Sequence, residues 1–172
     1  MLQLISLVML IYSYFLIQTN LPHLPRSIPT HFNAAGVADG WGSPNTLWFL
    51  LAVQAFTCAI FLIVPYVGQR FPGAVHVGSR HLSDFSPAQR ARMLPLLNNM
   101  TGYMSIVMNL FFVFMLHESI QAATQPNPRI HPLFPMVLLL GGMFGIVLYY
   151  LGKFRRVAKG EVDGDPSNGL TS

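Results

Sequence analysis

The residues able to do chemistry in this sequence are a few imidazoles and carboxylates beside long apolar stretches. His31 and Asp39 share one polar segment, and the adjacent His117 and Glu118 follow a distant apolar stretch. Such groups could bind a divalent metal, or act as a general acid and a general base. No HExxH or other fixed ligand spacing is present. We therefore predict neither a bound metal nor catalysis. The alternative is a metal-dependent hydrolase whose active site, on the outer face of a membrane, would be built from these four residues.

Other cofactors have little support in the sequence. A single helical histidine, His117, is weak evidence for an axial ligand to a tetrapyrrole. The glycines after Asn33 follow no strand and GxGxxG is absent, so no phosphate-binding loop is predicted. The single Cys58 can form no intrachain disulfide and no cysteine metal motif. We expect a non-enzymatic protein with no cofactor other than bound lipid.

The composition indicates a membrane protein. Hydrophobic residues make up 52% of the chain and charged residues 9%, against roughly a quarter charged in soluble domains. The pI of about 9.6 would suggest nucleic acid for a soluble protein, but the basic residues here flank apolar stretches, where they set topology. The expected partners are therefore the lipid bilayer and either other membrane subunits or further copies of the chain, and not nucleic acid.

Four uncharged stretches predict an all-α fold with transmembrane helices over residues 2–18, 46–67, 98–116 and 132–151, in one domain of residues 1–160. The first stretch lacks a basic n-region and a small-x-small cleavage site, so it is predicted to be retained. Residues 161–172 are polar and predicted to be disordered.

Capping signals suggest where two helices begin. Ser43 followed by Pro44 is typical of an N-cap and first helical position. The residues Ser86 to Gln89 form a capping box, so a short helix is expected there, which Pro95 either breaks or converts into the next span.

Polar and small residues within the spans predict helix packing. Gln54 and Thr57 interrupt the second apolar stretch and are expected to form hydrogen bonds between helices, and Asn109, deep in the third, is expected to face another helix or another subunit. Gly141 and Gly145 have the GxxxG spacing that allows close approach of two helices. Packing within the chain's own bundle is favoured over self-association.

The distribution of Lys and Arg predicts the orientation. The first and third connections hold one basic residue each, Arg26 and Arg129, whereas the second connection and the C-terminal segment hold four each. The positive-inside rule then places both termini in the cytoplasm and the loop of residues 19–45 outside. This brings the acidic and imidazole groups of the first and third connections to one end of the bundle.

The loop between the first two spans is dense in turn-forming residues. Prolines fix φ, glycines supply positive φ, and Asn or Asp side chains bond their own backbone. A compact, shaped element is therefore expected over residues 21–43.

The words LPRSIPTHFNAAGVADGWGS, residues 24–43, resemble the N-terminal membrane domain of SdpI-type proteins, and the likeness covers about residues 10–116. The positions matching the family's loop are Ile28, Pro29, His31, Asn33, Gly36, Asp39 and Trp41. The resemblance implies a small multi-pass protein of the bacterial plasma membrane with no established catalytic residues. SdpI protects its producer against a secreted toxin and sequesters a repressor at the membrane.

The favoured hypothesis is an SdpI-like binding, sensing or immunity module whose outer loop engages a ligand or partner. The alternatives are an accessory subunit of a larger respiratory or photosynthetic membrane complex and the metal-dependent hydrolase named above.

Overall fold

The computed structural model of the protein describes residues 2–131 and 133–160. Its helices are α1 (Leu2–Asn20), α2 (Thr46–Arg70), α3 (Pro87–Ala122) and α4 (Leu133–Lys159). Within these described residues, four helices are long and apolar enough to cross a membrane. The all-α, multi-pass membrane fold is therefore confirmed. The expected disorder of residues 161–172 lies outside the described residues.

Helix α3 is the centre of the bundle, since it packs against α1, α2 and α4. Its buried face is lined with small and polar residues, including Thr101, Gly102 and Ser105. A Cβ atom at Gly102 would lie 2.9 Å from the Cβ of Leu2 in α1, so the glycine permits this close approach. At 36 residues, α3 is roughly 54 Å long and exceeds the hydrocarbon core of a bilayer, about 30 Å.

The predicted capping box at the start of α3 is confirmed. Ser86 Oγ accepts a hydrogen bond from the Gln89 backbone N–H at 3.2 Å, and Gln89 Oε1 accepts one from the Ser86 N–H at 3.1 Å. Pro95, however, does not break the helix, which continues to Ala122. A proline in a helix interior removes one backbone hydrogen bond. Here buried Met93 and Leu97, which pack on neighbouring elements, hold the helix together on both sides of it.

Helix α2 begins where the predicted span begins, and two residues later than the capping signal of Ser43 and Pro44 suggests. Its first residue is Thr46 and its N-cap position is Asn45, whose side chain makes no capping bond. Ser43 Oγ instead accepts a bond from the Asn45 N–H at 3.3 Å, and the Ser43 carbonyl accepts from the Thr46 N–H at 3.0 Å. Ser43 and Pro44 thus form a turn that leads into the helix.

One buried hydrogen bond joins α2 to α3. Gln54 Nε2 donates to Asn109 Oδ1 at 2.9 Å, and Asn109 Nδ2 donates to the Ser105 carbonyl at 2.8 Å. Both amide side chains are almost completely buried, as expected for polar groups at this depth. The bond therefore fixes the register of the two helices. The expectation for Thr57 is wrong, because its hydroxyl bonds carbonyls of its own helix, those of Val53 at 3.1 Å and Gln54 at 2.9 Å.

The GxxxG pair does not pack inside the bundle, and that prediction is wrong. A Cβ at Gly141 or Gly145 would meet no atom of the described residues within 4 Å. The glycine that faces another helix is Gly142, where a Cβ would lie 3.0 Å from Cγ1 of Val107 in α3. The reason is rotational: α4 turns the neighbouring position toward α3 and leaves the GxxxG face outside.

Two short hairpins cover opposite ends of the bundle. Strands β1 (Ile28–Phe32) and β2 (Ala38–Gly42) pair between α1 and α2, and β3 (His76–Val77) and β4 (Arg80–His81) pair between α2 and α3. The first is the compact element expected from the turn residues. The second was not predicted, although Gly78, with φ of 68°, lies at its turn.

Each end has its own apolar cluster. The cluster at the β1–β2 end consists of Ile17, Ile28, Leu47, Leu116 and Ile120. The cluster at the other end consists of Leu82, Phe85, Met93, Leu97, Tyr150 and Phe154. The end that carries the β1–β2 hairpin is called the hairpin end. The opposite end, which carries the β3–β4 hairpin and most of the Lys and Arg residues, is called the basic end. The first and third connections therefore lie at one end, as the charge count requires, while the membrane side that each end faces stays a prediction.

Candidate ligand-binding hairpin

The turn of the β1–β2 hairpin is shaped by Asn33 and Gly36. Asn33 Oδ1 accepts hydrogen bonds from the N–H groups of Ala35, at 3.0 Å, and Val37, at 3.1 Å. Gly36 has φ of 73°, a left-handed conformation that side chains with a Cβ rarely adopt. These two positions of the predicted set therefore have a structural role in the turn itself.

The pairing of the two strands gives a structural role to Gly40, a residue that was not among those predicted from the sequence. The register places Pro29 opposite Trp41 and His31 opposite Gly40, with an irregularity around Thr30. A Cβ at Gly40 would lie only 2.8 Å from the Cβ of His31. Only glycine, which has no Cβ, therefore fits at position 40 while His31 lies directly opposite on β1. A glycine inside a strand is the signal that could have identified it.

Ile28 and Pro29 anchor the hairpin in the bundle. Both are less than 2% exposed, and Ile28 packs with Ile17 of α1 and Leu116 of α3. Burying one such aliphatic side chain stabilises a fold by roughly 1.5–3 kcal/mol. These two motif positions therefore hold the hairpin against the helices and are not available to a ligand.

The third connection extends the hairpin with backbone hydrogen bonds. The Ala38 N–H donates to the Pro128 carbonyl at 3.2 Å, and the Ile130 N–H donates to the Gly36 carbonyl at 2.9 Å. Val37 and Arg129 form an antiparallel bridge between them. The second edge of the hairpin is consequently paired over residues 36–38, at the start of β2, and the hairpin is tied to the connection between α3 and α4 as well as to α1 and α2.

Besides Asn33 in the turn, three motif side chains are exposed on this anchored hairpin. His31 Nδ1 and Asp39 Oδ1 lie 2.5 Å apart, with 72% and 43% of the two side chains exposed. Trp41 is 55% exposed. It lines an open groove of about 440 Å³ together with Arg129 of the third connection. The His31–Asp39 contact links β1 to β2, and all three side chains remain accessible from outside the bundle.

The remaining metal candidates do not join this group. His117 Nε2 accepts a hydrogen bond from Gln121 Nε2 at 2.7 Å, and His117 lines a separate groove beside Tyr12 and Phe134. Across residues 2–131 and 133–160, no three His, Cys, Asp or Glu side chains come close enough together to hold a metal ion. His31 and Asp39 thus form a pair without His117 or Glu118.

The fold and the hairpin define a multi-pass helical membrane protein with a hairpin fixed at one end of the bundle. Residues 4–55 match a domain of unknown function (DUF1648). The matched range covers most of α1, the whole β1–β2 hairpin and the first ten residues of α2. The comparisons with curated proteins and with solved structures gave no match.

Proposed function

We propose that this protein is a non-enzymatic binding or sensing module of the bacterial plasma membrane. In this proposal His31, Asp39 and Trp41 engage an extracytoplasmic ligand or protein partner, as the resemblance to SdpI-type immunity proteins implies. The observation that carries it is the combination of an anchored hairpin with three side chains that remain exposed on it, the cross-strand pair His31 and Asp39 and the indole of Trp41.

The anchoring favours binding because it lowers the entropy lost on association. A hairpin whose strands are paired with each other, and whose residues 36–38 are also bonded to residues 128–130, has little conformational freedom left to lose. The composition of the exposed surface supports the same conclusion, since Trp and Arg are enriched among residues that dominate binding energy. Trp41 and Arg129 line the same groove. The His31–Asp39 pair adds an imidazole and a carboxylate to the exposed surface of the hairpin.

A site-specific photo-crosslinker tests the proposal in cell membranes. A benzophenone amino acid at Trp41 should yield one defined adduct, and His31→Ala in the same chain should reduce it severalfold. The matched control is the same crosslinker at Phe71, which is 59% exposed near the basic end. An adduct at both positions, or one that His31→Ala leaves unchanged, would contradict a hairpin-specific partner.

A second candidate, an accessory subunit of a larger membrane complex, is favoured by the GxxxG face of α4. A Cβ at Gly141 or Gly145 would have no neighbour within 4 Å in the described part of the chain. Only 11% of the most apolar 18 residues of α4 are buried inside the protein. In that case, other chains should co-purify in mild detergent. Gly145→Leu should release them, whereas the hairpin substitutions should not.

A further inference from the structure

An apolar cavity of about 200 Å³ lies at the basic end, between α3, α4 and the β3–β4 hairpin. Its walls include Met93, Met100 and Met104 from α3, and Val147, Leu151 and Phe154 from α4. An apolar cavity of about 150 Å³ is already large enough to bind benzene. The walls of this cavity would gain many dispersion contacts from a hydrocarbon inside it.

The cavity is long in the direction of the bundle axis. Its lining covers residues 93–104 of α3 and 147–154 of α4, which correspond to roughly 16 Å and 10 Å of helix. Lipid chains lie along the same direction when the helices cross a bilayer. The three methionines suit a chain of variable shape, because the thioether side chain is flexible and polarizable.

Positive charge is concentrated at the end of the bundle that holds the cavity. Eight of the ten Lys and Arg residues are at this end: Arg70, Arg80, Arg90, Arg92, Lys153, Arg155, Arg156 and Lys159. Asp84 is the one acidic residue at this end among residues 2–131 and 133–160, and its carboxylate accepts a hydrogen bond from the His81 N–H at 2.9 Å. The local charge balance therefore favours an anionic ligand group.

The position of one arginine connects this charge with the cavity. Arg155 follows Leu151 by four residues, which places both on the same face of α4, with Arg155 nearer the end of the helix. Tyr149 and Lys153, whose ammonium lies 5.0 Å from the Tyr149 ring centroid, are residues typical of the membrane–water interface. A headgroup beside Arg155 would thus have its chain directed into the cavity.

We propose that this cavity binds a segment of one acyl chain of an anionic phospholipid, with the lipid phosphate beside Arg155. The site lies at the opposite end of the bundle from the β1–β2 hairpin and does not depend on the hairpin's proposed ligand. Bound lipid would fill the gap between α3, α4 and the β3–β4 hairpin, and would link that hairpin to the membrane.

Native mass spectrometry of the full chain tests the site, with phosphatidylglycerol or phosphatidylcholine added to detergent micelles. The wild-type chain should retain one phosphatidylglycerol molecule after delipidation. Leu151→Trp, which fills the cavity, should lower retention at least tenfold. The matched control is Leu148→Trp, at a position 66% exposed on α4 and outside the cavity lining, which should retain lipid as the wild type does.

Two further variants separate the chain site from the headgroup site. Val147→Phe narrows the same cavity by a smaller change and should also lower retention, so the test does not depend on Leu151→Trp folding. Arg155→Gln should lower the preference for phosphatidylglycerol over phosphatidylcholine by about fivefold and leave phosphatidylcholine bound.

Three results would overturn the proposal: no lipid retained by the wild type, equal retention by the Leu151→Trp and Leu148→Trp chains, or a headgroup preference that Arg155→Gln does not change. A second copy of the chain detected in place of lipid would assign the cavity to self-association.

Discussion

The conspicuous residues of the hairpin divide into those that build it and those that it displays. Asn33, Gly36 and Gly40 determine the backbone, through the turn bonds, the positive φ and the close approach to His31. His31 and Trp41 project from it. A motif that looks uniform in sequence therefore has two separable roles.

Substitution of Gly40 tests this division at the level of one residue. Gly40→Ala places a Cβ 2.8 Å from that of His31, so the strands must separate. Overpacking of this kind typically destabilises a protein by about 1–3 kcal/mol. The expected result is a lower midpoint of thermal unfolding and faster amide hydrogen exchange in β1 and β2.

The control is Gly152→Ala, because a Cβ there meets no described atom within 4 Å. Alanine also has a higher helix propensity than glycine, so this change should not lower the midpoint. Equal loss in the two variants would show that Gly40 has no special contact with His31.

At the scale of elements, the helices are positioned by a few polar contacts and by small residues that let two helices come close together. The bond between Gln54 and Asn109 is the hydrogen bond between side chains that joins α2 and α3 in the part of the chain described. Small residues such as Gly102 and Gly142 allow the other helices to approach α3. The interface between α2 and α3 should therefore be sensitive to these two amides.

A double-mutant cycle measures that sensitivity. Gln54→Leu, Asn109→Leu and the double variant should give a coupling free energy of about 0.6 kcal/mol, and not more than about 1.7 kcal/mol. Each single change leaves a buried amide without its partner, so the double variant should be more stable than the sum of the single changes predicts. The free energies come from unfolding in mixed micelles, and additive effects would contradict a direct interaction.

At the scale of the whole molecule, the two ends of the bundle differ in charge and in structure. The hairpin end is closed by the β1–β2 hairpin and residues 128–130, whereas the basic end carries most of the Lys and Arg residues and the apolar cavity. By the positive-inside rule, this difference in charge predicts that the basic end faces the cytoplasm and the hairpin end faces outward.

Labelling with a membrane-impermeant maleimide tests the orientation in intact bacterial cells. Cys58 is buried and is replaced by Ser, and single cysteines are introduced at Trp41 and at Ser83, both in exposed positions. Cysteine at position 41 should react in intact cells, and cysteine at position 83 only after permeabilisation. Reaction of both under the same condition would contradict the four-span topology.

Sequence alone was sufficient for features that depend on neighbouring residues or on mean apolarity. The four helices follow from long uncharged stretches, the start of α3 from Ser86 and Gln89, and the compact first loop from its prolines and glycines. Each of these is determined by one continuous segment of the chain, either a long apolar stretch, a single helix start or a set of tight turns, so no knowledge of distant contacts is needed.

Only the tertiary structure decided which surfaces meet. Pairing of residues 36–38 with residues 128–130, the choice of Gly142 over Gly141 and Gly145, and continuation of α3 through Pro95 all depend on contacts with other elements. The apolar cavity likewise requires α3, α4 and the β3–β4 hairpin to converge. The physical reason is that the rotation of a helix about its axis is fixed by packing, and a uniformly apolar sequence does not specify which of its faces packs inward.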